Sequence, residues 1–252
     1  MSELIKTLGD WYPFYEKTIQ KFPKDFDLLK RTLSAARTSR TVYPEGPEVF
    51  KAFELCQYAD LKVVIIGQDP YHNGAATGLA FGVKEGFNIN PSLRVIHNEV
   101  IQSHDLQDDF NNPEPIEFDY TLTSWAKQGV LLLNNTLTVV KGHPNSHEPY
   151  WRFFTRDIVK QIAETKESVV FMLWGKFAVE TFEPIVKEAI EVHNKYHKII
   201  KAAHPAAEVY GSMKAGFTGS NCFIKCNQFL DNFTTPITWV ATKLEEHEQR
   251  TI

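Results

Sequence analysis

Only three cysteines, Cys56, Cys222 and Cys226, occur in 252 residues, too few and too oddly numbered for a disulfide framework. A core rather than covalent staples has to hold the chain, and a reducing compartment is expected. Cys222 and Cys226 share a helical spacing, but no second Cys or His pair stands at zinc spacing. Two buried thiols on one helix are therefore expected, and neither a metal nor a cofactor. No apolar run is long enough to span a bilayer. The opening MSELIKTLGDWYPF lacks the basic, apolar, small-residue order of a secretory signal, so a cytoplasmic chain without a membrane partner is expected. Repeats, low-complexity tracts and Gly/Ser/Pro-rich linkers are missing as well. One domain over 1–252 is the simplest organisation, and the length suffices for one sizeable core. The absence of G-x-G-x-x-G, Walker-type and G-x-S-x-G sequences argues against a glycine-loop nucleotide cradle and against a Ser-His-Asp hydrolase. Positive charge is not in excess either, with 27 Lys and Arg against 31 Asp and Glu, a net −4. That balance disfavours general coating of nucleic acid but permits a local basic groove. The acids gather in Glu180, Glu183, Glu188 and Glu191 and in the tail, while Lys141, Lys176, Lys201 and Lys214 fall in or near the segments of chemical interest.

What is present is patterned. Hydrophobic residues make up 43%, as in ordinary globular proteins. Up to about residue 57 the pattern is helical, with Phe26, Leu28, Leu29 and Leu33 in one stretch and Val49, Phe50, Phe53 and Leu55 in another, separated by Tyr43-Pro44-Glu45-Gly46-Pro47. Four short runs then read as buried strands: Val63 to Ile66, Val130 to Leu133, Val169 to Leu173, and Ile199 to Ala203 with one lysine. Helical patterns lie between them, most clearly Trp151, Phe154, Ile158 and Ile162. Strands alternating with helices imply a mainly parallel four-stranded sheet covered on both faces, a three-layer α/β/α fold.

Ligands of such sheets bind beyond the carboxyl ends of the strands. The residues found there are Gly67-Gln68-Asp69-Pro70-Tyr71-His72, Asn134-Asn135-Thr136, Trp174-Gly175-Lys176 and His204-Pro205. Taken singly, each has a plain structural reading. Asp69 is a turn aspartate before proline, His204 a satisfied buried histidine, Asn134 an amide closing a strand. Taken together, a carboxylate, an amide and an imidazole can surround one small planar ligand. His143-Pro-Asn-Ser-His147 lacks the Glu of a zinc helix and holds Pro144, so it reads as a structural loop.

The run Val63-Val-Ile-Ile-Gly67-Gln-Asp-Pro-Tyr-His72 resembles the water-activating motif of the family 1 uracil-DNA glycosylases. Further matches follow in order. Gly78-Leu79-Ala80-Phe81 is similar to the stretch carrying a stacking phenylalanine, and Pro91-Ser92-Leu93 to the end of a proline-rich DNA-contact loop. Gly129 to Asn134 resembles the uracil-reading strand, Leu173-Trp174-Gly175 the glycine-serine loop, and Ala203-His204-Pro205 the start of the DNA-insertion loop. The resemblance spans roughly Tyr43 to Leu230.

It implies an enzyme that hydrolyses the N-glycosidic bond of uracil in DNA, leaving an abasic site and starting base-excision repair. Asp69 would position water and favour the oxocarbenium-like sugar, while His204, as a neutral imidazole, would donate to the departing base. Asn134 would donate to O4 and accept from N3–H, a pairing that cytosine reverses. Phe81 would stack on the base, Tyr71 would press where thymine carries its methyl, and Gln68 would offer mainly its backbone N–H. His72 and Ser92 would contact phosphate, and the uracil nucleotide would be flipped out of the stack. The partners implied are uracil-containing DNA, single- or double-stranded, and a proteinaceous inhibitor of such enzymes. Two rival readings are a non-catalytic DNA-binding scaffold, against which the intact Asp69, Asn134 and His204 stand, and a glycosylase that also accepts thymine or hypoxanthine, against which Tyr71 stands.

The departures concern the rim. Lys176 stands where a serine is usual, and Gly86-Phe-Asn-Ile-Asn-Pro91 has lost most of the loop's prolines. After His204-Pro205 the family's Ser-Pro-Leu-Ser becomes Ala206-Ala207-Glu208-Val209. A carboxylate makes a poor wedge between bases because it loses hydration and meets phosphates of its own sign. Either Tyr210 or Met213 takes the place of the inserting leucine, or no residue inserts and single-stranded substrate is strongly favoured.

Overall fold

The computed structural model describes residues 3–103, 118–210 and 216–240. Six strands are formed: β1 (Val42–Tyr43), β2 (Val63–Gly67), β3 (Val130–Asn134), β4 (Val139–Val140), β5 (Val170–Trp174) and β6 (Lys198–Ala202). The α-helices are α1 (Glu3–Leu8), α2 (Tyr12–Lys21), α3 (Pro23–Ser39), α4 (Lys51–Leu55), α5 (Pro91–Ser103), α6 (Thr123–Lys127), α7 (Glu148–Thr165), α8 (Gly175–His193), α9 (Pro205–Tyr210) and α10 (Cys222–Leu230).

The main sheet has the order β3-β2-β5-β6, and all three pairings are parallel. Every residue of β2, β3 and β5 is buried. Because successive strand side chains point to opposite faces, complete burial means that both faces are covered, as a three-layer α/β/α fold requires. The β-branched and leucine-rich runs suit that position, each buried Val, Leu or Ile contributing about 1.5–3 kcal/mol of transfer free energy. β6 differs from the expectation of a buried strand, for only Ile200 in it is buried. It is one of the two edge strands, paired among the described residues with β5 alone, and its exposed lysines Lys198 and Lys201 discourage pairing with a further strand.

Local signals set the helices. α7 begins with Glu148 and Pro149, an acid and a proline in the first turn, which suit the unpaired N–H groups and fixed φ of a helix start. Its Trp151, Phe154, Ile158 and Ile162 are buried, as their spacing predicts. α8 stops at Asn194, which adopts the left-handed conformation that asparagine tolerates. Cys222 and Cys226 are buried on α10, where burial pushes both thiols up, Cys222 to about 12.

The N-terminal helices dock as a block on α7. Trp11 packs edge-on against Phe53 and Tyr58 at 5.3 and 5.2 Å and donates its Nε1–H to the Cys56 carbonyl at 2.7 Å. Tyr15 meets Phe154 at 5.9 Å, and Asp157 of α7 accepts from Thr18 at 2.8 Å and Lys21 at 2.5 Å. One element in this region escapes a helical reading. β1 pairs antiparallel with β4, Val42 opposite Val140, and two-residue strands are too short to show a period.

Candidate active site

The motif after β2 is joined to β3 beyond the regular ladder. Asn135 N–H donates to the Gly67 carbonyl at 2.9 Å and Thr136 N–H to the Gln68 carbonyl at 3.0 Å. This fixes the backbone from which Asp69 and Tyr71 project. Gly67 stands opposite Asn134 in the register, and a Cβ at Gly67 would collide with Asn134 Oδ1 and lie 2.8 Å from Ala80 Cβ. Glycine is therefore required there so that the buried Asn134 amide can lie across the strand end. Gly175 plays the same part on the other side, since its φ is +85° and a Cβ would stand 2.7 Å from His204 Cβ.

One open cavity of about 400 Å³ gathers Gln68, Asp69, Tyr71, His72, Phe81, Ser92, Asn134 and His204. Sequence reasoning had drawn these from five separate segments. Phe81 has φ +66°, a conformation that costs a non-glycine residue about 1–2 kcal/mol. The surroundings hold it there. Ala80 N–H donates to Leu132 O at 2.9 Å, and the Tyr71 hydroxyl donates to Phe81 O at 3.2 Å. The Phe81 ring centroid lies 5.3 Å from that of Trp174 and 6.0 Å from that of His204, so one face of the cavity is a supported aromatic wall. Burial pushes the Tyr71 phenol well above its ordinary value, keeping it neutral.

The Ala206 N–H donates to His204 Nδ1 at 3.1 Å. Nδ1 is thereby the acceptor, and the ring proton of a neutral imidazole sits on Nε2. Burial also lowers the pKa of His204, which favours the neutral form that this hydrogen bond needs. Asp69 is perturbed in the opposite sense. Burial raises its carboxyl, while the Asn145 N–H and the nearby His72 pull it partly back. Asn145 N–H reaches Asp69 Oδ2 at 2.8 Å.

Asn145 is the contributor that sequence reasoning missed. It belongs to the loop read only as structural, and that loop also places Pro144 in the cavity wall. Asn145 has φ +61°, and its Oδ1 accepts the exposed Gln68 side-chain amide at 2.8 Å. The available signal was an asparagine just after proline, a residue pair suited to a left-handed turn. The rest of the loop is structural, with His147 buried and its Nδ1 2.9 Å from Thr138 Oγ1.

The other expected residues are scattered. Lys176 lines an adjoining cavity of about 170 Å³ with Trp174, Gly175 and His204, its side chain exposed and its Nζ 3.7 Å from Glu180. Lys201 is turned to Glu183 at 3.0 Å, and Lys141 is exposed beside Gly142, whose N–H donates to His72 O at 3.1 Å. Pro205 is buried at the first position of α9 and lines neither cavity. Tyr210 ends α9, but its side chain, Met213 and Lys214 lie outside the described residues, as do Glu245, Glu246 and Glu248. Among the described residues no three His, Cys, Asp or Glu side chains are grouped to hold a metal ion, and no helix is long and apolar enough to cross a membrane.

An amide, a carboxylate and an imidazole N–H beyond the strand ends of a parallel sheet, with an aromatic face beside them, are groups able to grip a planar heterocycle and polarise a bond to it. Comparison with known proteins narrows that class. Residues 53–231 match the family model of the uracil DNA glycosylase superfamily. A uracil-DNA glycosylase of Amoebophilus asiaticus is 38% identical over 93% of this chain and 99% of its own length, and one of Anoxybacillus flavithermus is 40% identical over 95% and 98%. Among solved structures, mimivirus uracil-DNA glycosylase shares the fold with a TM-score of 0.78 at 22% identity, covering 95% of this chain and 89% of that one. A mimivirus variant solved in complex with UGI superposes with a TM-score of 0.75 at 24% identity over 92% and 88%. The chain belongs to the uracil-DNA glycosylase superfamily.

Proposed function

We infer that this chain is a glycosidase that hydrolyses the bond between uracil and deoxyribose in DNA, leaving an abasic site for base-excision repair. The observation that carries the residue assignment is one cavity shared by a half-buried Asp69 carboxylate and a His204 whose Nδ1 is already an acceptor. Cleavage builds positive charge on the sugar and negative charge on the base, and both ends of that dipole need a partner in place beforehand. Asp69 faces the sugar end, orienting water and stabilising the cation. Nε2–H of His204 donates to the base oxygen that gains charge. No proton need leave the imidazole for this to work, which is why a neutral ring suffices.

Asn134 reads the base. With the Asn134 amide turned to donate to O4 and accept from N3–H, cytosine meets donor with donor and acceptor with acceptor. Tyr71, tied to Phe81, closes the space beside C5 against thymine's methyl. Phe81 stacks on the ring. His72 and Ser92 at the cavity mouth, with Lys176 beside it, engage phosphates while the nucleotide is held outside the stack.

The chain acts as one domain and as a monomer in the cytoplasm. The docking of α2 on α7 through Tyr15, Thr18 and Lys21 supports the first of these. A proteinaceous inhibitor is a proposed partner, supported by the mimivirus relative in complex with UGI. Wedge insertion by Tyr210 or Met213, or no insertion, is read from the ratio of duplex to single-strand rates. Equal rates on the two substrates remove the reading without insertion. The direct test is uracil release from a labelled oligonucleotide by the wild type and by Asp69→Asn, and a wild type that releases no uracil overturns the function.

A further inference from the structure

Glu208 was unfit for the role of a wedge, and the structure gives it another occupation. From α9, one turn after His204, its Oε1 accepts the N–H groups of Phe217 and Thr218 at 2.8 and 2.7 Å, and its Oε2 accepts the Thr218 hydroxyl at 2.5 Å. A second carboxylate grips the same stretch from the other side. Glu99 of α5 is wholly buried, with Oε2 accepting Gly219 N–H at 2.6 Å and Oε1 accepting Asn221 N–H at 2.7 Å and the Ser220 hydroxyl at 3.2 Å. Four backbone N–H groups and two hydroxyls of residues 217–221 thus converge on two acids. Charge-assisted bonds of this kind are about twice as strong as neutral ones. Burial alone would raise the Glu208 carboxyl, but the bonds from Thr218 and Phe217 outweigh it and hold it below its ordinary value.

The clamped stretch touches the pocket. Phe217 is fully buried, its ring edge-on to Trp174 at 5.0 Å, and Trp174 backs Phe81. α5 carries Ser92 and α9 carries Ala206, and both residues line the cavity. Ala206 also supplies the N–H that fixes the His204 tautomer.

We propose that Glu208 is a positioning residue for His204: together with Glu99 it ties α9 to residues 217–221 and so holds the Ala206 N–H against His204 Nδ1, aiming Nε2–H into the pocket. Glu208 acts through α9 and touches no substrate. The proposal rests on uracil excision as the reaction, which the wild-type assay checks separately.

The test compares wild type, Glu208→Ala, Glu208→Gln and Thr218→Val in single-turnover release of uracil from single-stranded oligonucleotide, with folded fraction followed by circular dichroism and the His204 ring nitrogens by ¹⁵N NMR. Misplacing a catalytic group through a distant change costs up to about 100-fold, and Glu208→Ala is expected to lose about 10- to 100-fold. Its His204 signals should leave the Nε2–H pattern, and the acid limb of its rate profile should move to higher pH, because the Ala206 bond favours the neutral ring. Glu208→Gln keeps an oxygen for both N–H groups and should stay within about threefold of wild type. Thr218→Val should fall between the two. A Glu208→Ala enzyme whose rate drops only in proportion to its folded fraction, or whose His204 signals do not change, overturns the proposal. So does a glutamine variant as slow as the alanine one. A wild type inert on uracil is a different failure, that of the function itself.

Discussion

The pocket floor and the rim beyond His204 are built in different ways. The floor is made of strand ends. Gly67, Asn134 and the turn to Asp69 are continuous with buried strands of the sheet, and their positions are fixed by a parallel register that sets Gly67 opposite Asn134. The rim is made of short helices and loops held by side-chain acids, Glu208 and Glu99 among them. In the proposed mechanism the floor performs the chemistry, which tolerates little displacement, whereas the rim meets a flexible polymer and has room to vary. The family motifs are accordingly intact in the floor, and the departures at Lys176 and Ala206 to Val209 all fall on the rim.

The comparison is tested hardest at Asp69. Asp69→Asn should lower single-turnover excision by about 10²–10⁴-fold, the range of a positioned acid–base group, while uracil-DNA binding measured by fluorescence anisotropy changes little. The same variant should melt at a higher temperature. Burial raises the folded-state pKa of Asp69, so the folded chain holds that proton more tightly than the unfolded one. The stability contributed by this group is present at low pH and is lost as pH rises through the raised pKa, a loss the amide does not suffer. Thermal melts of both proteins across that range check the sign, and an Asn variant that melts lower at neutral pH would refute it.

Asn145 follows in size. Its contribution is a backbone N–H in a left-handed turn, so Asn145→Gly should keep nearly full activity. Asn145→Val, which resists positive φ, should lose about tenfold. Its rate profile should also change in a definite direction. Removing an N–H donor from a carboxylate raises its pKa, moving the acid limb of kcat/KM to higher pH. Identical profiles for the glycine and valine variants would contradict the role.

Recognition changes come next. Asn134→Asp should gain slow release of cytosine and Tyr71→Ala slow release of thymine, each with a partial loss on uracil, read on oligonucleotides carrying C or T at the target position. Failure of both gains would mean that the amide and the phenol do not set specificity. The smallest effect is expected at the rim. Lys176→Ala should weaken binding only severalfold and lower the slope of log Kobs against log salt by about 0.7 on single strands or 0.9 on duplex, the value of one phosphate contact. An unchanged slope would remove Lys176 from the DNA path.

Much of the floor was legible in the sequence because its determinants are local. The apolar runs set four strands to within a residue or two, and Asp69, Asn134 and His204, beyond three of them, line one cavity. Where reading failed, the cause was nonlocal. Asn145 acts through an N–H that every residue but proline possesses. The edge position of β6 depends on strand order, which the run Ile199 to Ala203 does not encode. Glu208 was recognised as unfit for insertion, but its partners, Phe217 and Thr218, stand 9 and 10 positions further along the chain. Pro205, placed by resemblance at the start of the DNA-insertion loop, begins α9 from a buried position.

The central claim is that a half-buried carboxylate and a neutral imidazole at these strand ends release uracil. Its most direct measurement is single-turnover release from oligonucleotides that differ only in carrying uracil, thymine or cytosine, with wild type, Asp69→Asn and His204→Ala compared at neutral pH. The account predicts release of uracil alone by the wild type and a loss of orders of magnitude in both variants. Wild-type rates in either variant, or equal release of the three bases, would contradict it.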